Sequence, residues 1–434
     1  MRLRNLLLLL LLLLCPLLPA HAQSTADRLA YLQANAIIVR NVEPTNEDYT
    51  DLAPLKQSLQ QVTVVGLGEP IHYDGSTFKA KTRLVKFLHQ ELGFSVLAFE
   101  SGFYDCYKAW QEIQAGRLSI DAARKALYPF WISTETQELF NYIDQQKNTD
   151  KPLILAGIDC KFSGHYSDES LLPDLKSYLQ TINSGMVQDT AKWRAFSTSL
   201  KRAIHISDYL TKPSTADTLV LNPALKGILA ESTATGVSAT ATRAEHVFWQ
   251  QFCRSSLAEI AKKFSNSEEQ VRDRQMGENL VFLQRELYRD RKTIVWAASS
   301  HLTYNGANIG RKFYHENPRL GDYLKQAYGA RYYHMGFTGY QGEFGKLLFF
   351  HVLNVKKHKP NSIEYLLGQT KQPFLLLDFR KSTLPQWLQE SLIAMPFGYR
   401  ETLMRLPLVM DGLFYTEAVY ERHWIPPSGP PRPM

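Results

Sequence analysis

Residues 62–100, VTVVGLGEPIHYDGSTFKAKTRLVKFLHQELGFSVLAFE, contain two short apolar runs on either side of one amphipathic segment. The runs 62–68 and 94–100 have the composition and length of buried strands. Ser76 can cap a helix between them, Gly93 fits its end, and the apolar positions of one face are Phe78, Leu84, Val85, Leu88 and Leu92. A strand, a helix and a second strand in succession predict a βαβ unit and a locally parallel sheet.

Further strands are predicted on both sides of this unit. Apolar runs bounded by turn residues occur at 152–159, 292–301, 330–337 and 346–353. They are continuously apolar rather than alternating, which is typical of a sheet covered on both faces. The sequence therefore predicts an α/β fold with a mainly parallel central sheet flanked by helices.

The middle of the chain, 163–265, has a different composition. It is rich in polar and small residues, and it contains the helical stretches LLPDLKSYLQTI and HVFWQQFCRSSLAEIAKKF. We expect a mainly helical insertion or cap between two parts of the α/β core, 23–162 and 266–424. A loosely ordered linker is the alternative. The last segment, 425–434, ends in PPSGPPRPM and is predicted to be a disordered tail.

The first 22 residues have the pattern of a secretory signal peptide. Two arginines precede a leucine run, and Ala20-His21-Ala22 precedes Gln23. The apolar run is shorter than the roughly 20 residues of a membrane span. We therefore expect a periplasmic or secreted protein with no stable membrane span after cleavage.

Composition narrows the function classes further. The formal net charge is +7, but no dense block of lysine and arginine occurs, so we expect no nucleic-acid partner. Cys15 would leave with the signal peptide, and Cys106, Cys160 and Cys253 would remain. An odd number of cysteines permits one disulfide with one free thiol, or no disulfide.

Polar residues follow four of the predicted strands. Glu69 and His72 come after the first, and Glu100, Asp159 and His301 come after the next three in chain order. Each has an ordinary structural explanation, such as a helix cap, a loop histidine or a buried ion pair. Taken together they predict one cleft, because the carboxyl ends of parallel strands share one edge of a sheet.

This set of side chains suits hydrolysis. A carboxylate beside an imidazole fixes its tautomer and raises its basicity, so that the ring can activate water. The same four residues, Glu69, His72, Glu100 and His301, would also make a mixed oxygen and nitrogen shell for zinc, manganese or iron. No GxSxG, HExxH or Walker A pattern is present.

Several motifs in order resemble the erythromycin esterase family, which includes succinoglycan biosynthesis homologues. They span roughly 45–355 and are GLGEPIH, LVKFLHQELGFSVLAFES, LAGID, VRDRQMGENLVFL and TIVWAASSHL. The resemblance implies an α/β fold with a deep cleft and hydrolysis of a cyclic ester, without a demonstrated need for a metal. It assigns His72 as the base that activates water, Glu69 as the residue that orients it, and Glu100 and His301 as the rest of the site.

The resemblance also points to substrate contacts. Lys81 stands where the family tends to carry a pocket arginine, and Asp159 and Arg272 come from the strand-end and helix motifs. Asp273 follows Arg272 in the helix motif, and a structural salt bridge is the alternative to a catalytic role for this pair. The implied substrate is a small-molecule ester or lactone.

The chain departs from the family pattern near both histidines. Tyr73 and Ser76 replace a glycine and a glutamate, and Ala298 and Ser299 replace a histidine and an asparagine. These losses leave open a non-catalytic ligand-binding protein, for a glycan, haem or another ligand. Its platform would be drawn from the aromatic residues Tyr73, Phe103, Tyr104, Tyr107, Trp110, Phe130 and Trp131, which are more often core residues.

Overall fold

A nine-stranded sheet forms the centre of the computed structural model, which describes residues 24–205, 214–235, 242–345, 352–381 and 383–426. Its strands are β1 (Ile37–Ile38), β2 (Val64–Glu69), β3 (Phe94–Gly102), β4 (Ile154–Asp159), β5 (Lys292–Ala298), β6 (Tyr332–Phe344), β7 (Leu353–Asn354), β8 (Phe374–Asp378) and β11 (Gly412–Val419). The short strands β9 (Leu392–Ala394) and β10 (Thr402–Met404) pair with each other.

The strand order is β1-β8-β11-β6-β2-β5-β3-β4, and β7 pairs with β6. The six strands from β11 to β4 are parallel, whereas β8 and β1 add an antiparallel edge. The predicted mainly parallel α/β fold is confirmed. The two strands of the predicted βαβ unit are not neighbours, because β5 lies between β2 and β3.

The helices cover this sheet. In chain order they are α1 (Thr25–Asn35), α2 (Leu55–Leu59), α3 (Gly75–Leu92), α4 (Phe103–Gln114), α5 (Ser119–Ala126), α6 (Thr134–Gln146), α7 (His165–Glu169), α8 (Leu171–Thr181), α9 (Gly185–Gln188), α10 (Thr190–His205), α11 (Thr215–Thr235), α12 (Arg243–Lys262), α13 (Glu268–Phe282), α14 (Ser299–Leu302), α15 (Lys312–Glu316), α16 (Leu320–Tyr328), α17 (Ile363–Gln369), α18 (Gln386–Gln389) and α19 (Leu406–Val409). A π-helical turn, Leu283–Leu287, continues α13.

Helix α3 follows β2 in the chain and begins two residues earlier than the cap predicted from the sequence would place it. Asp74 is its N-cap and accepts a 3.0 Å hydrogen bond from the backbone N–H of Thr77, so the prediction of Ser76 as the cap is wrong. A carboxylate is the stronger cap here because it also accepts the hydroxyl of Ser76. Gly93 ends the helix in the left-handed conformation, with φ of 72°, as predicted.

The described parts of 163–265 form helices α7 to α12. Leu175, Phe196, Leu225 and Phe248 from these helices belong to the main apolar core. The helices therefore pack against the sheet-containing part of the chain. The division of the chain at 163 and 265 stays a prediction.

Some predicted strands changed length, and several strands were missed. The predicted strand 292–301 ends at Ala298, because α14 begins at Ser299. Most of the predicted strand 346–353 lies outside the described residues. Strands β8 and β11 were not predicted, although both are as apolar as the strands that were.

Three further predictions concern the cysteines, membrane-spanning helices and the two ends of the chain. Cys106, Cys160 and Cys253 are free and buried, so they form no disulfide with one another. Within the described ranges, no helix combines the length and apolar character needed to cross a membrane. The proposed signal segment lies outside the described residues, as does nearly all of the predicted tail.

Candidate active site

The carboxyl ends of the parallel strands carry the candidate residues. Glu69 is the last residue of β2 and is in register with Ala298, the last residue of β5. Glu100 lies in β3, the next strand after β5, and Asp159 ends β4. The predicted convergence of these strand ends therefore follows directly from the strand order.

Glu69 is fully buried and accepts three side-chain donors. Its Oε1 atom accepts Trp131 Nε1–H at 3.1 Å and lies 3.0 Å from His72 Nδ1. Its Oε2 atom accepts the ammonium of Lys81, which is also fully buried and lies 4.1 Å from the centroid of the Trp296 ring.

Charge keeps this buried group ionised. Burial alone would raise the pKa of Glu69, but the Lys81 charge and the His72 hydrogen bond outweigh burial and hold the pKa below its ordinary value. Burial lowers the pKa of Lys81 to about 8, although Glu69 opposes this shift. Lys81 therefore serves as a buried counter-ion to Glu69, and the substrate contact predicted for Lys81 stays a prediction.

His72 is the more accessible member of this group. Its side chain is 28% exposed and stacks on Phe130, with the ring centroids 4.4 Å apart. An ionised Glu69 can only accept, so the neutral imidazole carries its proton on Nδ1. The lone pair is then on Nε2, which has no hydrogen bond to the described part of the chain.

A second cluster joins β3, β4 and α13. Arg272 donates from Nε and Nη2 to Asp159 Oδ2 at 3.0 and 2.6 Å, and from Nη2 to Glu100 Oε1 at 2.8 Å. Glu100 Oε2 accepts the backbone N–H of Ala298 at 3.0 Å. Burial would raise the pKa of Glu100, but His301 and Arg272 outweigh it and hold the pKa well below its usual range.

His301 lies in the same cluster, on α14 rather than at the end of β5. Its Nδ1 atom is 2.5 Å from Asp273 Oδ1, and its Nε2 atom is 3.3 Å from Glu100 Oε1. Arg319 Nη1 lies 2.9 Å from Asp273 Oδ2. Burial opposes the charged ring, but Asp273 and Glu100 raise the pKa of His301 above its ordinary value.

The two clusters lie within electrostatic range of each other, since His72 contributes to the low pKa of Glu100 and Glu100 contributes to the pKa of Lys81. The four residues predicted to be catalytic, Glu69, His72, Glu100 and His301, are thus brought to one region of the fold. Arg272 and Asp273 do not pair with each other but with Asp159 and His301 respectively. Each residue thus belongs to a buried ion pair with a different partner, and a catalytic role for either stays a prediction.

Sequence reasoning missed the aromatic and cationic partners of the site. Trp131 and Phe130 contact Glu69 and His72 from a short 3₁₀ turn, and Arg319 contacts Asp273 from the start of α16. In the sequence, Phe130 and Trp131 are distinguished only as members of the aromatic set. Nothing in the spacing of Arg319 distinguishes it from a surface arginine.

The positions that depart from the family pattern have local roles. Ala298 contributes a backbone N–H to Glu100, which requires no particular side chain. The Ser299 hydroxyl lies 3.3 Å from Nε2 of His334, whose pKa burial lowers to about 4. The neutral His334 ring thus lies next to the turn that carries His301.

The residues whose spacing could hold a metal ion differ from the predicted set of Glu69, His72, Glu100 and His301. Among the described residues, one group of three has all its ligand atoms within 4.8 Å of one another, and it consists of Glu269, Asp273 and His301. Two arginines already lie against its acids, with Arg272 3.7 Å from Glu269 and Arg319 2.9 Å from Asp273. Their charge opposes a cation there. The metal shell of Glu69, His72, Glu100 and His301 stays a prediction.

Known proteins resemble this chain in sequence and in fold. The family model of erythromycin esterase matches residues 89–417, which is most of the chain. The chain belongs to the erythromycin esterase family. It is 26% identical to "Putative hydrolase YbfO" of Bacillus subtilis (strain 168) over 410 residues, which cover 88% of this chain and 90% of that protein.

Two further proteins resemble this chain, one in sequence and one in fold. Erythromycin esterase type II of Escherichia coli is 27% identical over 164 residues, covering 38% of this chain and 35% of that protein. A solved structure of a Bacillus cereus protein superposes with a TM-score of 0.77 at 22% identity, covering 93% of this chain and 100% of that one.

An erythromycin esterase fold is also seen at lower identity. A variant of the erythromycin esterase EreC in its open conformation superposes with a TM-score of 0.64 at 14% identity, covering 88% of this chain and 97% of that one. A succinoglycan biosynthesis protein superposes with a TM-score of 0.72 at 19% identity, covering 92% and 99% of the two chains. At these identities the likeness shows the fold alone.

Proposed function

We propose that the protein hydrolyses the ester or lactone bond of a small molecule with water activated by His72. The observation that carries the proposal is the 3.0 Å contact between Glu69 Oε1 and His72 Nδ1, which leaves the Nε2 lone pair free on a partly exposed ring. Membership of the erythromycin esterase family supports a hydrolase.

In the proposed reaction, His72 Nε2 takes a proton from water as the water oxygen attacks the carbonyl carbon. The tetrahedral intermediate carries an oxyanion, and it is stabilised by the charge of Arg272 and by the His301 ring, whose protonated form Asp273 and Glu100 favour. Cleavage of the C–O bond releases the alcohol, which takes its proton from Nε2 of His72. Glu69 stabilises the imidazolium between these steps, and Lys81 compensates the buried carboxylate.

The core positions of most aromatic residues favour this function over a ligand platform. Phe103, Tyr104, Trp110 and Trp131 are buried in the main apolar core. Tyr73 is also buried. Phe130 is partly buried, and it stacks on His72, which suits a residue that orients a catalytic ring.

The test is a panel of esters, lactones and acyl sugars, assayed with purified protein. We expect turnover of at least one compound, and a loss of about 100-fold or more in kcat for His72→Ala. His165→Ala is the matched control, because His165 is exposed and lies outside the candidate site. A His72→Ala variant with an unchanged rate contradicts the mechanism.

Metal dependence is tested in the same assay. We propose that no metal participates, so activity should survive chelator in protein whose metal content is negligible. Loss of activity with chelator, restored by zinc, manganese or iron, would favour the metal-dependent alternative. Binding of a panel compound without turnover would favour a ligand-binding protein.

We further propose that the protein is exported and cleaved before Gln23, on the basis of the sequence pattern of residues 1–22. Expression of the full chain followed by cell fractionation and N-terminal sequencing tests this. A protein that keeps its first 22 residues and stays in the cytoplasm contradicts the proposal.

A further inference from the structure

A second polar cavity lies at the opposite edge of the sheet from the candidate active site. It has a volume of about 310 Å³ and is lined by Thr63, Gln284, Arg285, Asp290, Arg291, Lys292, Tyr328 and Arg331. Thr63 precedes β2, Lys292 begins β5 and Arg331 precedes β6, so the cavity faces the amino ends of these strands. A strand of six residues spans about 20 Å, which separates the two sites.

The lining carries an excess of uncompensated positive charge. Arg285, Arg291, Lys292 and Arg331 surround the cavity with a single acid, Asp290. In the described ranges, none of the four cations has an ion pair with a carboxylate. Arg291 donates to Ser95 Oγ at 3.4 Å and Lys292 to a backbone carbonyl at 3.2 Å.

Two hydroxyl groups of the lining add an independent observation. The oxygens of Tyr328 and Thr63 are buried, and neither has a hydrogen-bond partner in the described part of the chain. Tyr328 is only 7% exposed, and burial raises its pKa to about 12, so its O–H remains a donor at neutral pH. Buried donors without partners are costly and uncommon, and a bound acceptor would satisfy them.

The cavity is held together by hydrogen bonds that do not consume these donors. Gln284 donates from Nε2 to the backbone oxygens of Thr63 at 3.0 Å and Arg291 at 3.3 Å, and to the hydroxyl of Thr293 at 3.2 Å. Gln284 and Arg285 both lie in the π-helical turn Leu283–Leu287. Gln284 therefore anchors the π-helical turn to the chain around the starts of β2 and β5.

We propose that this cavity binds a phosphate group, either free phosphate or the monoester of a small molecule. A doubly charged anion with several acceptor oxygens matches a lining of guanidinium, ammonium and hydroxyl donors better than a single carboxylate does. The volume lies near the lower limit of small-molecule sites, which suits a compact ligand. The proposal does not depend on the proposed hydrolysis.

The experiment is calorimetric titration and thermal unfolding with inorganic phosphate or glycerol 3-phosphate, against sodium chloride at equal ionic strength. We expect both phosphates to raise Tm above the chloride control, with tighter binding identifying the free anion or the monoester as the preferred form. Arg285→Gln with Arg331→Gln should weaken phosphate binding by about 100-fold, or about tenfold for each arginine.

Two controls separate binding from folding. Arg194→Gln makes the same charge change on an exposed arginine outside the cavity and should leave phosphate binding unchanged. Tyr328→Phe removes a buried hydroxyl that has no partner, so we expect an equal or higher Tm without phosphate and about fivefold weaker binding with it.

The proposal is overturned if phosphate stabilises the protein no more than chloride does, or if the double arginine variant binds phosphate as the unmodified protein does. Ester hydrolysis by the double variant should be unchanged, because both arginines lie at the far edge of the sheet. Failure of the phosphate site and failure of the proposed hydrolysis are thus observed in separate measurements.

Discussion

Asp273 Oδ1 lies 2.5 Å from Nδ1 of His301, and this contact joins helix α13 to the turn that follows β5. The other oxygen of Asp273 lies 2.9 Å from Arg319 Nη1. The acid therefore orients the His301 ring and favours its protonated form, while Arg319 compensates the acid. This relationship makes Asp273 a positioning residue in the proposed site.

We expect Asp273→Asn to lower the pKa of His301, because the carboxylate is the main group that raises it. A raised histidine pKa contributes stability that is fully present below the ordinary histidine value and is lost as pH rises through the folded value. The variant should lose that contribution at low pH. An NMR titration of His301, with urea unfolding from about pH 5 to about pH 8, measures both effects.

Glu278→Gln on the same helix is the control for this substitution, since Glu278 pairs with exposed Arg274 and not with the site. Its His301 titration should match that of the unmodified protein. An unaltered His301 pKa in Asp273→Asn would show that the acid does not set the charge of the ring.

Lys81→Met should be strongly destabilising, by about 3 to 5 kcal/mol, because it leaves Glu69 buried without its cation. Lys79→Met is the matched control two residues away. Lys79 pairs at 2.5 Å with Glu43, whose side chain is mostly exposed, and its loss should cost less than about 1 kcal/mol. The free energy of unfolding in urea is measured for both variants. Equal losses of stability would show that the buried Lys81–Glu69 pair contributes no more than the exposed one.

Gly68→Ala should lower both stability and ester hydrolysis. A Cβ at Gly68 would lie 2.7 Å from the Cα of Ser299, so the turn that carries His301 would have to move. We expect a loss of about 1 to 3 kcal/mol. At Gly66 the nearest groups are the Leu302 and Tyr332 side chains at 3.1 Å, which can shift slightly, so Gly66→Ala should retain more activity. Thermal unfolding and kcat are measured for both variants. A greater loss of stability and activity in Gly66→Ala than in Gly68→Ala contradicts this prediction.

Glu364→Gln should increase stability at alkaline pH. Burial raises the pKa of Glu364 to about 7, so its contribution to stability is present below the ordinary glutamate pKa and is lost as pH rises towards 7. The loss is roughly 1.4 kcal/mol per pH unit in that window. The variant lacks this slope and keeps acceptors for Thr338 and the backbone of Met395.

Urea unfolding at several pH values measures the slope, with Glu390→Gln as an exposed control. If the free energy of unfolding of Glu364→Gln and of the unmodified protein changed with pH in parallel, ionising Glu364 would not destabilise the fold. The pH dependence of Glu390→Gln should follow that of the unmodified protein.

Local pattern was sufficient for most of the parallel core. The amphipathic run before Gly93 and the apolar runs around it gave helix α3 and strands β2 and β3 within two residues. Pattern was insufficient at Asp74, because choosing between Asp74 and Ser76 as the cap depends on which side chain reaches the Thr77 N–H. It was also insufficient at β8 and β11, because short apolar runs resemble buried helix segments.

The sequence by itself determined which chemical groups reach the edge of the sheet. Residues at the carboxyl ends of parallel strands lie along the same edge. Only the tertiary structure decided their partners. Glu69 pairs with Lys81 from α3, Arg272 with Asp159, and His301 with Asp273. The physical reason is that a buried charge needs a counter-charge close to it in space, and these partners are 12, 113 and 28 positions apart, so no common spacing in the sequence identifies them.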